Sequence, residues 1–263
     1  MRLFCTFCLI LCCLLWPSEV EAGVLAERVA QFPHWNSKPP VQAVKGTEDL
    51  VYPDWMAGTW QVTSTMVDMV APLAPDIVTP GFENNRRYLN QPISFLVRFV
   101  PIQQNNFSLP IFTVKSNIST MKVGSIVADR AFNGLNIAKE TLGDRAVLSV
   151  KTDPSNPNRQ ITLLPRDLQL VSIVTSRNSE ILDNERFVAT EITQQFFRGT
   201  QQVYLNEVET TTEYHLKKTA NARITANQIT AIYLSSKDPN YFNAAGKPVA
   251  LYRYHLELFP ISN

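Results

Sequence analysis

Phe187-Val188-Ala189-Thr190-Glu191-Ile192-Thr193-Gln194-Gln195-Phe196-Phe197-Arg198, and the run Val203 to Leu216 that follows Gly199-Thr200, decide the fold. Both runs are long and rich in β-branched and aromatic residues. A connection of hairpin length separates them, which reads as two antiparallel strands. In the first run Phe187, Ala189, Glu191, Thr193, Gln195 and Phe197 share one face. In the second, Glu207, Glu209, Thr211, Glu213 and His215 alternate with Asn206, Val208, Thr210, Thr212 and Tyr214. Neither strand opposes a clean oily face to a clean polar one. Such a wall is expected of a barrel with a hydrated or ligand-filled interior, or of strands that run past the body into water.

Reading outward extends the pattern in both directions. Toward the C-terminus, Ile224–Leu234 and Leu251–Phe259 are further strands, with a turn expected from Lys217 to Asn221. Toward the N-terminus, Gln61–Met69, Phe95–Val100, Ala146–Lys151, Gln160–Leu164 and Leu168–Thr175 read likewise. The stretch Asp153 to Asn158 is a turn by composition. The chain is therefore expected to be mainly β, an antiparallel up-and-down barrel of about 8–10 strands. One helix interrupts it, from the spacing of Val127, Ala131, Leu135, Ala138 and Leu142, with Gly143 as its stop. A long irregular insert, 70–92, carries Pro72, Pro75, Pro80 and Pro92. Structureless loops of that length are uncommon and often functional.

Three regions follow. Residues 1–22 read as a signal peptide. Arg2 is followed by the uncharged apolar run Leu3–Trp16, and Val20-Glu21-Ala22 invites cleavage after Ala22. Residues 23–57 form an arm with a short helix expected over Val24–Phe32, then extended chain at Pro33, Pro39 and Pro40. Trp35 and Trp55 are expected to lie against the barrel wall. Residues 58–263 form the barrel domain. All four cysteines, Cys5, Cys8, Cys12 and Cys13, fall in the leader, so the mature chain has no disulfide, thiol nucleophile or thiolate metal site. It would carry 23 basic and 21 acidic residues, with no block of like charge to suit nucleic acid or an anionic membrane.

Enzyme motifs are missing. The sequence has no phosphate-binding loop, dinucleotide fingerprint, H-E-x-x-H or G-x-S-x-G. Its histidines are His34, His215 and His255. The last two, with Glu213 and Glu257, form a conceivable acid/base or metal cluster if they meet in the barrel, but strand histidines of that kind more commonly face water or bond locally. No metal and no cofactor is expected. Arg86-Arg87-Tyr88 in the insert suits an anionic ligand or a partner, or simply a solvated loop. Glu191, within the first quoted strand, completes the ligand-facing candidates. Asp129-Arg130 with Asn133 reads as capping and local hydrogen bonding. Asn106-Phe107-Ser108 and Asn117-Ile118-Ser119 are sequons.

Gly58-Thr59-Trp60 opens the first strand and Arg253 lies in the last. Closure of a barrel pairs these strands, so Arg253 is expected to stack on Trp60 as a structural lock. With these residues the chain resembles the calycin group, the lipocalins and fatty-acid-binding proteins. It is more closely similar to an uncharacterised exported family of cyanobacteria and plastids. That second likeness rests on Tyr52-Pro53-Asp54-Trp55, Pro80-Gly81-Phe82-Glu83, Ala128-Asp129-Arg130-Ala131-Phe132-Asn133 and Asn156-Pro157-Asn158-Arg159. The resemblance implies a lipocalin-like barrel in a thylakoid lumen or periplasm. The insert 70–92, the helix over 127–142 and the absence of disulfides depart from ordinary lipocalins, so the resemblance transfers no ligand class. The first function expected is binding of a small amphipathic or hydrophobic ligand, a pigment, lipid or isoprenoid. Two other functions stay open. One is an accessory factor for photosynthetic membrane complexes, acting by protein contacts. The other is a calycin-type enzyme on a bilin or carotenoid.

Overall fold

The β-branched runs form strands, each longer or shorter than expected by a few residues. In the computed structural model, which describes residues 23–102, 123–199, 205–218 and 223–261, they are β2 (Gly58–Val70), β3 (Pro92–Pro101), β4 (Ile126–Ala128), β5 (Ser149–Asp153), β6 (Asn156–Leu163), β7 (Gln169–Ile181), β8 (Arg186–Arg198), β9 (Leu205–Lys217), β10 (Arg223–Leu234) and β11 (Ala250–Pro260). A two-residue strand, β1 (Gln42–Ala43), joins the arm to β7. The expected signal segment and both sequons lie outside the described residues.

The order across the sheet is β4-β3-β2-β11-β10-β9-β8-β7-β6-β5, antiparallel throughout. Every step follows the chain, and β11 returns to pair with β2. The sheet is a curled half-barrel. On a flat sheet five strand spacings, roughly 24 Å, would separate β3 from β8. Yet the ring of Tyr52 lies 4.8 Å from that of Phe99 on β3 and 5.6 Å from that of Phe187 on β8.

The two edges of the sheet are β4 and β5, and the chain between them is the helix Arg130–Leu142. This seam helix packs on β3 on one side and on β5 and β6 on the other. Val127 was expected inside it but belongs to β4, opposite Val100. The helix starts later because Asp129 caps it, accepting a hydrogen bond from the Phe132 amide at 3.1 Å. Gly143 ends it at a φ of 94°, where a side chain would be strained. Gly134 lets it lie close to β6, since a Cβ there would come within 2.6 Å of Gln160.

Apolar side chains pack on both faces of the sheet. On the concave face Met56, Trp60, Val62, Val97, Phe99, Ile126, Ile224, Ala226, Leu256 and Leu258 pack together. On the convex face the arm helix Val24–Ala30 lays Leu25 and Val29, with Trp35, onto Val188, Ile229, Ala231, Tyr233 and Leu251. Fully burying each such side chain is worth roughly 1.5–3 kcal/mol. The convex core explains the missing binary pattern: the arm covers part of β8 to β11 on their second face, where apolar Val188 and Ile229 sit beside the hydrogen-bonded Thr190, Glu209 and Thr211. The insert folds over one end of the sheet. Phe82 packs with Met66, Met69, Ala250 and Tyr252, and Asn85 donates to the Tyr252 hydroxyl at 3.0 Å.

Candidate functional site: a helix-roofed cavity

The concave face encloses a cavity of about 310 Å³. Each strand near it sends alternate side chains inward. These are Val62 and Ser64 from β2, Phe95, Val97 and Phe99 from β3, Gln228 and Thr230 from β10, and Tyr254, Leu256 and Leu258 from β11. Tyr52 from the arm and Tyr214 from β9 complete the wall. The seam helix roofs it with Asn133, Ile137 and Thr141, one residue per turn. This stripe differs from the expected one of Ala131, Leu135, Ala138 and Leu142. Ile137 stays 39 % exposed although it borders an apolar space.

One end of the interior is ionic. Arg130, at the first turn of the seam helix, donates to Glu191 on β8 at 2.7 Å and to Asp49 of the arm at 3.1 Å. Arg177 on β7 pairs with the same Glu191 carboxylate at 3.1 Å, donates to the Glu48 carbonyl at 2.7 Å and binds the Asn158 side chain. Two guanidinium groups thus face two carboxylates. Burial works against the charge of Arg130, but Glu191 and Asp49 outweigh it and hold its pKa well above the ordinary value. The tyrosines beside the cavity stay protonated. Burial, reinforced by Tyr214 and Glu191, raises the Tyr52 pKa well above its usual value. Burial pushes Tyr214 and Tyr254 up to about 12.

Of the residues expected at a site, Glu191 is the one brought into this interior. Its register partners Thr210 and Arg177 share its face. Glu213, His215 and His255 alternate with the cavity-lining Tyr214 and Tyr254, so they occupy the convex face. His215 contacts Glu213 at 3.1 Å there, and β10 separates it from His255. The conceived His/Glu cluster inside the barrel therefore does not form. Among the described residues no group of three or more His, Cys, Asp and Glu side chains is placed to hold a metal. Arg86 pairs with Glu83 of its own turn at 2.9 Å, and the Arg87 guanidinium lies over the Tyr88 ring.

The expected lock is corrected in the same way. The first and last strands do pair, but Trp60 sits opposite Pro260 while Arg253 sits opposite Asp68. Trp60 points into the concave core, where its indole donates to the Met56 carbonyl at 2.8 Å. Arg253 is on the convex side, its guanidinium 5.7 Å from the Phe32 ring of the arm. Strand pairing alone does not bring two side chains together. Gly58 has a φ of 113°, which suits glycine and has no bearing on a lock between the two side chains.

Sequence reasoning missed Asp49 and Arg177 and quoted Asn158 without a role at a site; the three approach from separate elements. Three quoted segments do converge here: they supply Tyr52, Arg130 and Asn158. In the comparisons with known proteins, the model of a family described as a domain of unknown function (DUF6816) matches residues 44–262. No curated protein and no solved structure matches the chain. The family match spans the sheet, the seam helix and the ionic cluster, and the chain belongs to the DUF6816 family.

Proposed function

We propose that the protein is a lipocalin-like carrier that binds a small amphipathic or hydrophobic ligand on the concave face of its sheet. The observation that carries this reading is the apolar cavity roofed by Ile137 of a helix that buries no side chain fully. A helix whose only purpose was to seal a core would bury an apolar stripe. The cavity lies at the small end of the usual range for small-molecule sites, about 300–1,000 Å³. That favours a compact lipid or isoprenoid over an extended pigment. The reading includes export to a thylakoid lumen or periplasm, supported by the apolar leader and the cysteine-free chain behind it. Mass spectrometry of small molecules released on denaturing the natively purified protein tests the proposal. Recovery of a stoichiometric apolar compound is the expected result.

A second reading, an accessory factor acting by protein contacts, has its own observation. Phe242 is 86 % exposed on the short helix Tyr241–Ala244, which packs through Ala244 against Ile77 of the insert. Co-purification of a partner that is lost in Phe242→Ser tests it.

A further inference from the structure

Among the described residues that line the cavity, none carries a charge: the polar ones are Tyr52, Ser64, Asn133, Thr141, Tyr214, Gln228, Thr230 and Tyr254. Some of these are already engaged. Asn133 binds the backbone of Arg98 through both ends of its amide, and the Thr141 hydroxyl donates to the Ile137 carbonyl. Tyr254, like Tyr52, Ser64 and Thr230, makes no side-chain hydrogen bond among the described residues. Of the two tyrosines, Tyr52 stands beside the charges of Arg130, Asp49 and Glu191, while Tyr254 packs against the concave core away from them. The charges at the ionic end, Arg130, Arg177, Asp49 and Glu191, already answer one another, as do Arg98 and Asp129 beside the helix start.

We infer that the cavity selects an uncharged ligand with an apolar body and one oxygen, hydroxyl or carbonyl, that meets the Tyr254 hydroxyl. This rests on the carrier reading above and narrows its ligand class. A carboxylate or ammonium head entering this space would give up its water and find no opposite charge to replace it. Joining the ionic end would break a paired set, and a buried pair that loses one partner leaves the other uncompensated. A neutral oxygen needs only a donor or an acceptor, and a tyrosine hydroxyl is both.

The test is a chain-length-matched series, decanol, decanoate and decylammonium, titrated calorimetrically into residues 23–263 at neutral pH, with decane-saturated buffer as the plain apolar probe. Decanol is expected to bind at least tenfold more tightly than either ion. Tyr254→Phe is expected to weaken decanol several-fold and leave uptake of decane unchanged. Equal affinities across the series, or tightest binding of decanoate, overturn the inference and leave the carrier reading standing. Absence of binding by all four probes overturns both. The series on the unaltered chain decides the point even if the variant proves unstable.

Discussion

Arg28 and Glu209, 181 residues apart in sequence, meet through two parallel hydrogen bonds of 2.7 Å each. Glu209 is wholly buried on the convex face, and the Tyr233 hydroxyl also donates to it at 2.7 Å. The Arg28 guanidinium lies 3.8 Å from the Trp35 ring centre and donates to the Ser37 carbonyl. One fork of hydrogen bonds thus fixes the arm to the sheet. Removing either partner leaves the other buried and unpaired, which costs about 3–5 kcal/mol. Glu209→Ala and Arg28→Ala are each expected to lose that much in urea denaturation. The double variant should lose clearly less than the sum.

Trp60 and Arg253 should behave in the opposite way. Trp60→Ala empties the concave core and is expected to cost about 3–5 kcal/mol. Among the described residues, Arg253→Ala loses its contact with the Phe32 ring. Because the residues occupy opposite faces and distant register positions, their losses should add within about 0.5 kcal/mol. A coupling above 1 kcal/mol in the double-mutant cycle would contradict the strand register.

These two pairs show what was legible in the sequence. The strands of β8 to β11 and their hairpins were readable, because β-branched runs and turn residues are local signals. So was the pairing of β2 with β11, which follows from connectivity. The partners of particular side chains were not. Glu209 reads as one of several alternating polar residues in β9, and nothing beside it announces an arginine in the arm. Asp49 and Arg177 likewise sit in unremarkable surroundings and meet because the arm pairs with β7 at Arg177. The face of Glu191, ambiguous from alternation alone, is decided by a helix that crosses the seam.

Alkaline stability gives a third prediction. Tyr214 and Tyr254 have pKa values pushed by burial from 10.0 to about 12. Between these values the unfolded chain releases protons that the folded one keeps, so stability falls as pH rises from 10 to 12. The loss is fully absent below pH 10 and amounts to roughly 1–3 kcal/mol per group above pH 12. Urea melts across this range should show the decline, and tyrosinate absorbance should rise together with unfolding. Tyr214→Phe with Tyr254→Phe should make both curves shallower, the remaining slope coming from Tyr52 and Tyr233, whose pKa values burial also raises.

Arg130 ties the first turn of the seam helix to Glu191 and Asp49, while its far end, at the exposed Leu142, has no such anchor among the described residues. Arg130→Met is expected to speed amide hydrogen exchange in residues 130–142 by at least tenfold. Exchange in β8 to β10, held by two neighbours each, should change far less. Uniform acceleration across the chain would mean that Arg130 supports the whole fold.

Export is checked most simply. Edman sequencing of the protein from its native source should begin at Gly23 or within a few residues of it. Recovery of intact Met1 from a cytosolic fraction would overturn the expected leader.

The interruption between β4 and β5 has a mechanical meaning. A fully laced barrel is a hoop, and widening a hoop of strands requires tearing ladder hydrogen bonds. Here the hoop is buckled by a helix whose backbone bonds are internal to it. The helix can tilt about Arg130 and Asn133 without unmaking a single bond between strands among the described residues. The volume beneath Ile137 is therefore set by where the helix rests, and not by the pairing of strands.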